Sequence, residues 1–268
     1  MNFQLTKKLI DNIEESIKQG DSNTIKQSVE NLLPPDIAEI LKSVKFNNAK
    51  LILMLFDEEK RADILIELEE ELREKLLGGL SSQEIIKDVI KNLDSDDAAD
   101  VIQELSEEKK KEVLSKITDS KQASYLNELV GYRKKSAGAL MAKELIKVNE
   151  KWSVLRCVSE MRKQANNVKT VYTIYVVNDN NTLLGLLSLR RLLLTEKKTA
   201  IKDIMFTEII SVMATEKNED VANIMQKYDL VVLPVTDESG KLIGRITIDD
   251  VMDVAKEEAE KDYQMASG

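Results

Sequence analysis

The second half of this chain carries one pattern twice. A duplication restricts a fold more tightly than composition does, because two like units must bury like surfaces. The segments LMAKELIKVNEKWSVLRCVSEMRKQ…TIYVVNDNNTLLGLLSLRRLLL (140–194) and IMFTEIISVMATEKNEDVANIMQKYDLVVLPVTDESGKLIGRITIDDVMDVA (204–255) align Met141 with Met205, an offset of 64. Further on, Val176 aligns with Val235 and Gly185 with Gly244, an offset of 59. The five extra residues of the first copy fall around Asn166–Thr170, between a helix and a strand, where loops absorb insertions. Each copy reads strand, amphipathic helix, strand, turn, strand, helix, with turns at Asn178–Asn181 and at Asp237-Glu238-Ser239-Gly240.

The first half has another grammar. Apolar residues recur at helical spacing in blocks of about a dozen residues: PPDIAEILKSV, NNAKLILMLF, DEEKRADILIEL, EEELREKLLGGL, SSQEIIKDVIKNL, DSDDAADVIQEL and SEEKKKEVLSKI. Most open on Ser, Asp, Asn or Pro. Ser81 and Glu84 have the spacing of a capping box, and Asp57 and Ser106 precede acidic first turns that suit the helix dipole. Gly78-Gly79 reads as a helix end. Blocks this short cannot bury a face alone, so neighbours must stack. A superhelix of short antiparallel helices is expected; an ordinary helical bundle would have much the same core.

Charge separates the halves. Residues 1–130 hold 28 Asp and Glu against 18 Lys and Arg, a net −10, whereas residues 131–268 hold 20 against 21, a net +1. A total of −9 argues against nucleic acid as a partner, since phosphates want a basic face. The absence of His removes most zinc sites and His-based acid–base or nucleophilic catalysis. No nucleophile–base pair or Gly-rich phosphate loop can be assembled, so an enzyme is not expected. Cys157 is the lone cysteine, on the apolar side of a predicted helix, and reads as packing. The longest apolar run, Leu51–Phe56, is far short of a membrane span, and MNFQLTKKLIDN is no signal peptide. A cytoplasmic chain is expected. Lys109-Lys110-Lys111 reads as a solvated helix face.

Two acidic groups stand out. Asp94, Asp96, Asp97 and Asp100 open one short helix, where Asp94 reads as the N-cap; Asp96 and Asp100, at i and i+4, share a face. Acids at a helix N-terminus gain about 0.3–1 kcal/mol each from the dipole. That accounts for the first three better than for Asp100, and leaves structural and metal-binding readings both open. Near the end of the chain, Asp249, Asp250, Asp253, Glu257 and Glu258 stripe a helix interrupted by Lys256 and Lys261, which also suits a solvated face. Asp229 has an ordinary turn explanation.

The duplicated unit resembles a pair of CBS modules. The likeness rests on the leading Met, on the hhPVhDxxGxLhGhhThxDh pattern of LVVLPVTDESGKLIGRITIDDV (230–251), and on the closing helix. The whole chain resembles the cytosolic part of MgtE-type magnesium transporters through DSDDAADVIQEL (94–105), YRKKSAGALM (132–141) and DDVMDVAKEEAEKD (249–262). It departs where Lys134 and Lys135 precede SAG, a place usually held by an acid. The resemblance implies an α+β fold: an all-α superhelical N domain over 1–131, CBS modules of β-α-β-β-α form over 132–200 and 201–256, and an acidic exit helix starting in 257–268. It also implies a transmembrane pore domain, absent from this sequence, a place at the cytoplasmic face of the membrane, and a homodimer formed through the CBS modules.

The resemblance further implies a regulatory Mg²⁺ site. Asp96 and Asp100 would supply the helical side, and Asp229, Asp250, Asp253 and the Gly138 carbonyl the CBS side, with Glu258 farther along the exit helix. Magnesium takes one or two carboxylates directly and keeps several waters. Two carboxylates about 6 Å apart repel by roughly 3 kcal/mol at an effective dielectric near 20. Bound magnesium reverses that sign, so the expectation is docking at high magnesium and a closed pore. Two other readings remain. CBS modules take adenine nucleotides such as ATP through a Thr or Ser and an Asp at the start of the last helix. Copy two keeps Thr247 and Asp250, whereas copy one has Ser188 and, in place of the acid, Arg191. Alternatively, the helical repeats would serve as a scaffold for a protein partner.

Overall fold

A computed structural model of the chain describes residues 3–252 and 254–256, the side chain of Asn167 excepted. It divides into two compact units, residues 1–130 and 131–268, and the fold is α+β. Asp253, Glu257 and Glu258 of the expected exit helix lie outside the described residues.

The first unit is helical throughout. α1 (Lys7–Gln19) is capped by the Thr6 hydroxyl, which accepts from the Leu9 amide; it ends at Gly20, whose φ of +71° turns the chain into Asp21, the N-cap of α2 (Ser22–Val29). Then come α3 (Pro34–Ser43), α4 (Phe46–Leu53), α5 (Glu58–Ile66), α6 (Glu70–Gly78) and α7 (Ser82–Glu84), which runs on into a π-helical turn over Ile85–Ile90. α8 (Ser95–Glu104), α9 (Glu107–Lys116) and α10 (Ser120–Val130) complete the unit. Asp57 and Ser106 accept the capping bonds expected of them, from the Lys60 and Lys109 amides, and Ser81 and Glu84 form both bonds of a capping box.

The recurring contact is between next-but-one helices: α3 with α5, α5 with the π turn, α7 with α9, α8 with α10. This is how short helices share their apolar faces in a superhelix. Ile37, Ile40, Ile52, Ile64, Leu65, Leu77, Ile85, Ile90 and Ile102 are fully buried there, each contributing about 1.5–3 kcal/mol of burial.

Cations close the helix ends. Arg73 Nη1 donates to the Ile66 and Leu68 carbonyls, each at 3.0 Å, at the end of α5, while its Nε pairs with Glu104 at 2.8 Å. Arg61 pairs with Asp88 in the π turn and donates through Nη2 to the Phe56 carbonyl at 3.0 Å. Lys109 caps the end of α6, donating to the Leu77 carbonyl at 3.2 Å and to Leu80 and Gly78. This corrects the reading of Lys109 as a solvated side chain: carbonyls left over at a helix end attract a cation. It also explains how α6 ends without a left-handed glycine, for Gly79 is right-handed at φ −82°.

The second unit shows the duplication as symmetry. In the first module β1 (Ile146–Asn149) crosses over through α12 (Val154–Gln164) to pair in parallel with β2 (Ile174–Val177). β2 pairs antiparallel with β3 (Leu183–Leu187), and α13 (Leu189–Leu194) follows. The short strap α11 (Ala137–Leu140) precedes them. The second module repeats the order with β4 (Val212–Met213), α14 (Asn218–Lys227), β5 (Val232–Thr236), β6 (Leu242–Thr247) and a helix covering residues 248–252 and 254–256. Period-two alternation sorts β2: Ile174 and Val176 pack with Val154, Cys157 and Leu192 under the helices, while Tyr175 and Val177 pack with Leu242 and Val232 of the other module. Cys157 is therefore core, and burial pushes its thiol up to about 11.

Each module also lends a segment to the other. Ala142, at the head of the first copy, pairs with Arg245 in β6 through bonds of 2.8 and 2.9 Å; Phe206, at the head of the second, pairs with Leu186 in β3 through bonds of 2.8 and 2.9 Å. The aligned methionines and glycines meet across this exchange. A Cβ on Gly244 would lie 2.7 Å from Met141 Sδ, and one on Gly185 would lie 2.8 Å from Met205 Sδ. The turns match as well: Asn178 Oδ1 accepts from the Asn180 and Thr182 amides as Asp237 Oδ1 does from Ser239 and Lys241. Asn181 and Gly240 take the same left-handed conformation, at φ +64° and +74°.

Candidate functional site

Asp96 and Asp100 lie on α8, with Asp96 largely buried and Asp100 exposed. The Asp96 carboxylate accepts from the Asp97 amide at 3.0 Å, a bond of the kind acids make in a first helical turn. Asp94 occupies the N-cap position without the side-chain capping bond expected of it. Asp100 contributes to the field that keeps Arg73 charged, although the main partner of Arg73 is Glu104.

The second-unit candidates sit at the ends of two elements. Asp229 follows α14, exposed and left-handed at φ +51°, a conformation an Asp tolerates better than most residues. Asp250 follows β6. Its Oδ2 accepts from the Thr247 hydroxyl at 2.6 Å and the Thr247 amide at 3.3 Å, the return half of a capping box. Burial pushes the Asp250 carboxyl up to about 6, with the charge of Asp249 adding to the effect and Thr247 and Arg245 opposing it. It stays mostly ionised at neutral pH.

In the first module the counterpart of Thr247 is Ser188, whose hydroxyl accepts from the Arg191 amide at 3.2 Å. The Arg191 guanidinium stands 4.7 Å from the Phe206 ring centroid, so a cation occupies the place of the acid. Beside β2 a small, partly open cleft is lined by Glu144, Thr170, Tyr172, Thr173, Tyr175 and Arg245. The Tyr175 hydroxyl is buried there, with no hydrogen-bond partner among the described residues.

Gly138, whose carbonyl is a candidate ligand, is buried in α11, and its amide donates to the Ala214 carbonyl at 2.8 Å. Only glycine fits, because a Cβ would lie 2.4 Å from Tyr132 Cδ1. Among the described residues no group of three or more Asp, Glu, His or Cys side chains is placed to hold a metal ion. Asp96 and Asp100 share α8, while Asp229 and Asp250 end separate elements of the second unit. The expected donors are all oxygens, the chemistry magnesium requires. Sequence reasoning passed over the Arg61–Asp88 and Arg73–Glu104 pairs, which join residues 27 and 31 positions apart. No local spacing signals such a contact.

Comparison with known proteins covers most of the chain. The MgtE intracellular N domain family matches residues 32–135, and the CBS domain family matches residues 137–196 and 201–257. The magnesium transporter MgtE of Thermus thermophilus is 31% identical over 96% of this chain and 58% of its own length. That of Bacillus subtilis is 30% identical over 92% of this chain and 54% of its own. The chain thus spans about half the length of these relatives. Two solved structures share its fold. One is the soluble part of a magnesium transporter, 27% identical, with a TM-score of 0.79 over 94% of this chain and 99% of the other. The second is the cytosolic domain of the Mg²⁺ channel MgtE in complex with ATP, 30% identical, with a TM-score of 0.83 over 91% of this chain and 99% of the other. No helix among the described residues is long and apolar enough to cross a membrane.

Proposed function

Because this chain belongs to the MgtE family, as an MgtE N domain followed by a tandem CBS pair, we propose that it is the magnesium-sensing regulatory region of a magnesium transporter. It would work at the cytoplasmic face of the membrane, as a homodimer joined through its CBS modules. The observation that carries the reading is the uneven charge: a net −10 on residues 1–130, with Asp96 and Asp100 on one helix, against a near-neutral second unit that presents Asp229 and Asp250. At low magnesium these carboxylates repel; at high magnesium the ion neutralises and bridges them. The docked form is then favoured, and the exit helix passes the change to a pore that closes. The chain binds and transmits; it performs no bond chemistry of its own. Leu155, Leu189, Leu193 and Leu194 of the first module, 44–73% exposed, support a self-associating surface.

The test is small-angle scattering of the chain with and without magnesium. Compaction on adding Mg²⁺, blunted in the Asp96→Ala/Asp100→Ala variant, supports the reading. A radius, melting temperature and protease pattern all indifferent to Mg²⁺ would overturn it.

A second reading has its own support. The Thr247–Asp250 pair, together with the ATP complex of a relative, favours an adenine nucleotide held at the second module. The Asp250 carboxylate fits a ribose diol as a hydrogen-bond acceptor. Arg191 makes the first module a poorer match. ATP titration without magnesium, followed through Trp152, tests this; saturable binding lost in Asp250→Asn supports it, and binding unchanged by that variant argues against it.

A further inference from the structure

The segment that leaves the helical unit is bonded to the second module before the chain enters the first. Lys135, left-handed at φ +66°, gives its carbonyl to the Asn218 amide at 3.1 Å. Ala137 and Gly138 donate to the Glu216 and Ala214 carbonyls at 2.7 and 2.8 Å. The Tyr132 ring lies against the Gly138 α-carbon, and Ser136 Oγ donates to the Arg133 carbonyl at 2.7 Å, folding the segment on itself. Met141 enters the notch at Gly244, and Ala142 pairs with Arg245. Lys143 Nζ reaches the Ile243 carbonyl at 2.9 Å, and Arg245 Nε the Glu144 carbonyl at 2.6 Å. Sequence order alone would place residues 132–145 with the first module.

The elements that receive this strap are also informative. Asn218 opens α14, whose far end leads to Asp229. Arg245 lies in β6, whose end leads to Thr247 and Asp250. The strap is thus bonded to α14 and β6, the two elements that lead into the second unit's described candidate acids. We propose that residues 132–142 form a seated coupling strap, by which the helical unit is tied mechanically to α14 and β6. Ion occupancy at Asp229 and Asp250 and seating of the strap then favour each other, as reciprocal linkage requires. The coupling half of this inference rests on the magnesium-sensing reading; the seating half does not.

Hydrogen exchange on the full chain separates them. In the wild type the Ala137 and Gly138 amides are expected to be protected. Gly138→Ala drives the Tyr132 ring off, and Tyr132→Ala removes it without adding bulk. Either should speed exchange over 135–142 by about tenfold or more through local opening. In the double variant the two losses should combine to less than their sum, because Tyr132→Ala removes the ring that the new methyl would meet. Unchanged protection in Tyr132→Ala refutes the seating. Magnesium titration of Tyr132→Ala by scattering reads the coupling, since Gly138 is itself a candidate ligand: the unseated strap should raise the midpoint by about fivefold or more. A midpoint equal to that of the wild type refutes the coupling while leaving the magnesium reading intact. A wild type that does not respond to Mg²⁺ defeats that reading and the coupling with it, and leaves the seating to stand on the exchange data.

Discussion

Replacing Gly244 by Ala tests the reciprocal exchange between the modules more directly than any change of charge. A Cβ there would sit 2.7 Å from Met141 Sδ, 2.9 Å from Met141 Cγ and 3.0 Å from the Ala142 carbonyl oxygen. A thioether can rotate aside. The carbonyl cannot, because Ala142 is held to Arg245 by bonds in both directions. Relief therefore requires the exchanged segment to shift by several tenths of an ångström. Overpacking of this kind costs about 1–3 kcal/mol, and for a unit of this size about 2 kcal/mol lowers the melting temperature by roughly 5–10 °C. Gly185→Ala should cost a similar amount, since its Cβ would meet Met205 Sδ at 2.8 Å and the Phe206 carbonyl oxygen at 2.9 Å. The lone Trp152 lies in the second unit, so urea unfolding followed by its fluorescence reports the unit in question. Shortening Met141 to Ala opens a cavity worth about 2–5 kcal/mol alone. In the Met141→Ala/Gly244→Ala double variant the new methyl partly fills that space, so the two losses should combine to less than their sum. A Gly244→Ala protein within about 0.5 kcal/mol of wild type, or strict additivity in the double variant, would refute the exchange as the reason for the glycine.

Three further outcomes are expected. Asp88→Asn leaves the Arg61 guanidinium, with a side chain 12% exposed, without its anionic partner; breaking so buried a pair should destabilise the first unit by about 3–5 kcal/mol in calorimetry. The Asp250 carboxyl, held near 6, binds its proton more tightly in the folded state than in the unfolded chain. Its contribution is therefore complete below about pH 4 and is lost as pH rises through 6, by up to about 2–3 kcal/mol, a slope that Asp250→Asn should remove from pH-dependent urea unfolding. Asp96→Asn/Asp100→Asn should make the magnesium-free chain more compact in scattering, because the repulsion is gone; unchanged compactness would refute the electrostatic account even where magnesium binds.

How much of this molecule its sequence discloses depends on the length scale of each cause. Helix ends are set within four residues, and so the roles of Ser81, Asp57 and Ser106 were readable directly. The paired turns follow the same logic, since Asn178 and Asp237 each bond to their own near neighbours. The duplication was legible because it is a comparison of the chain with itself. Why Met141, Met205, Gly185 and Gly244 recur was not, because the reason lies across the exchange: each methionine fills the notch left by the glycine of the other copy. A methionine and a glycine that recur at matched positions are the trace such a contact leaves in a sequence. The cations that close helix ends were harder still, for Lys109 looks like its neighbours Lys110 and Lys111 until the end of α6 is brought to it. The candidate acids stand at the far end of this scale. Asp96, Asp229 and Asp250 each have a local role, as helix-start, turn and capping residues, whereas Asp100 lies past the first turn of α8, where the dipole argument weakens. A carboxylate that already serves a helix end or a turn is held in position, and an ionised carboxylate offers about four lone-pair sites. Local duty and ion binding are therefore compatible chemistries for one carboxylate, and residues with ordinary helix-end roles can double as candidate ligands.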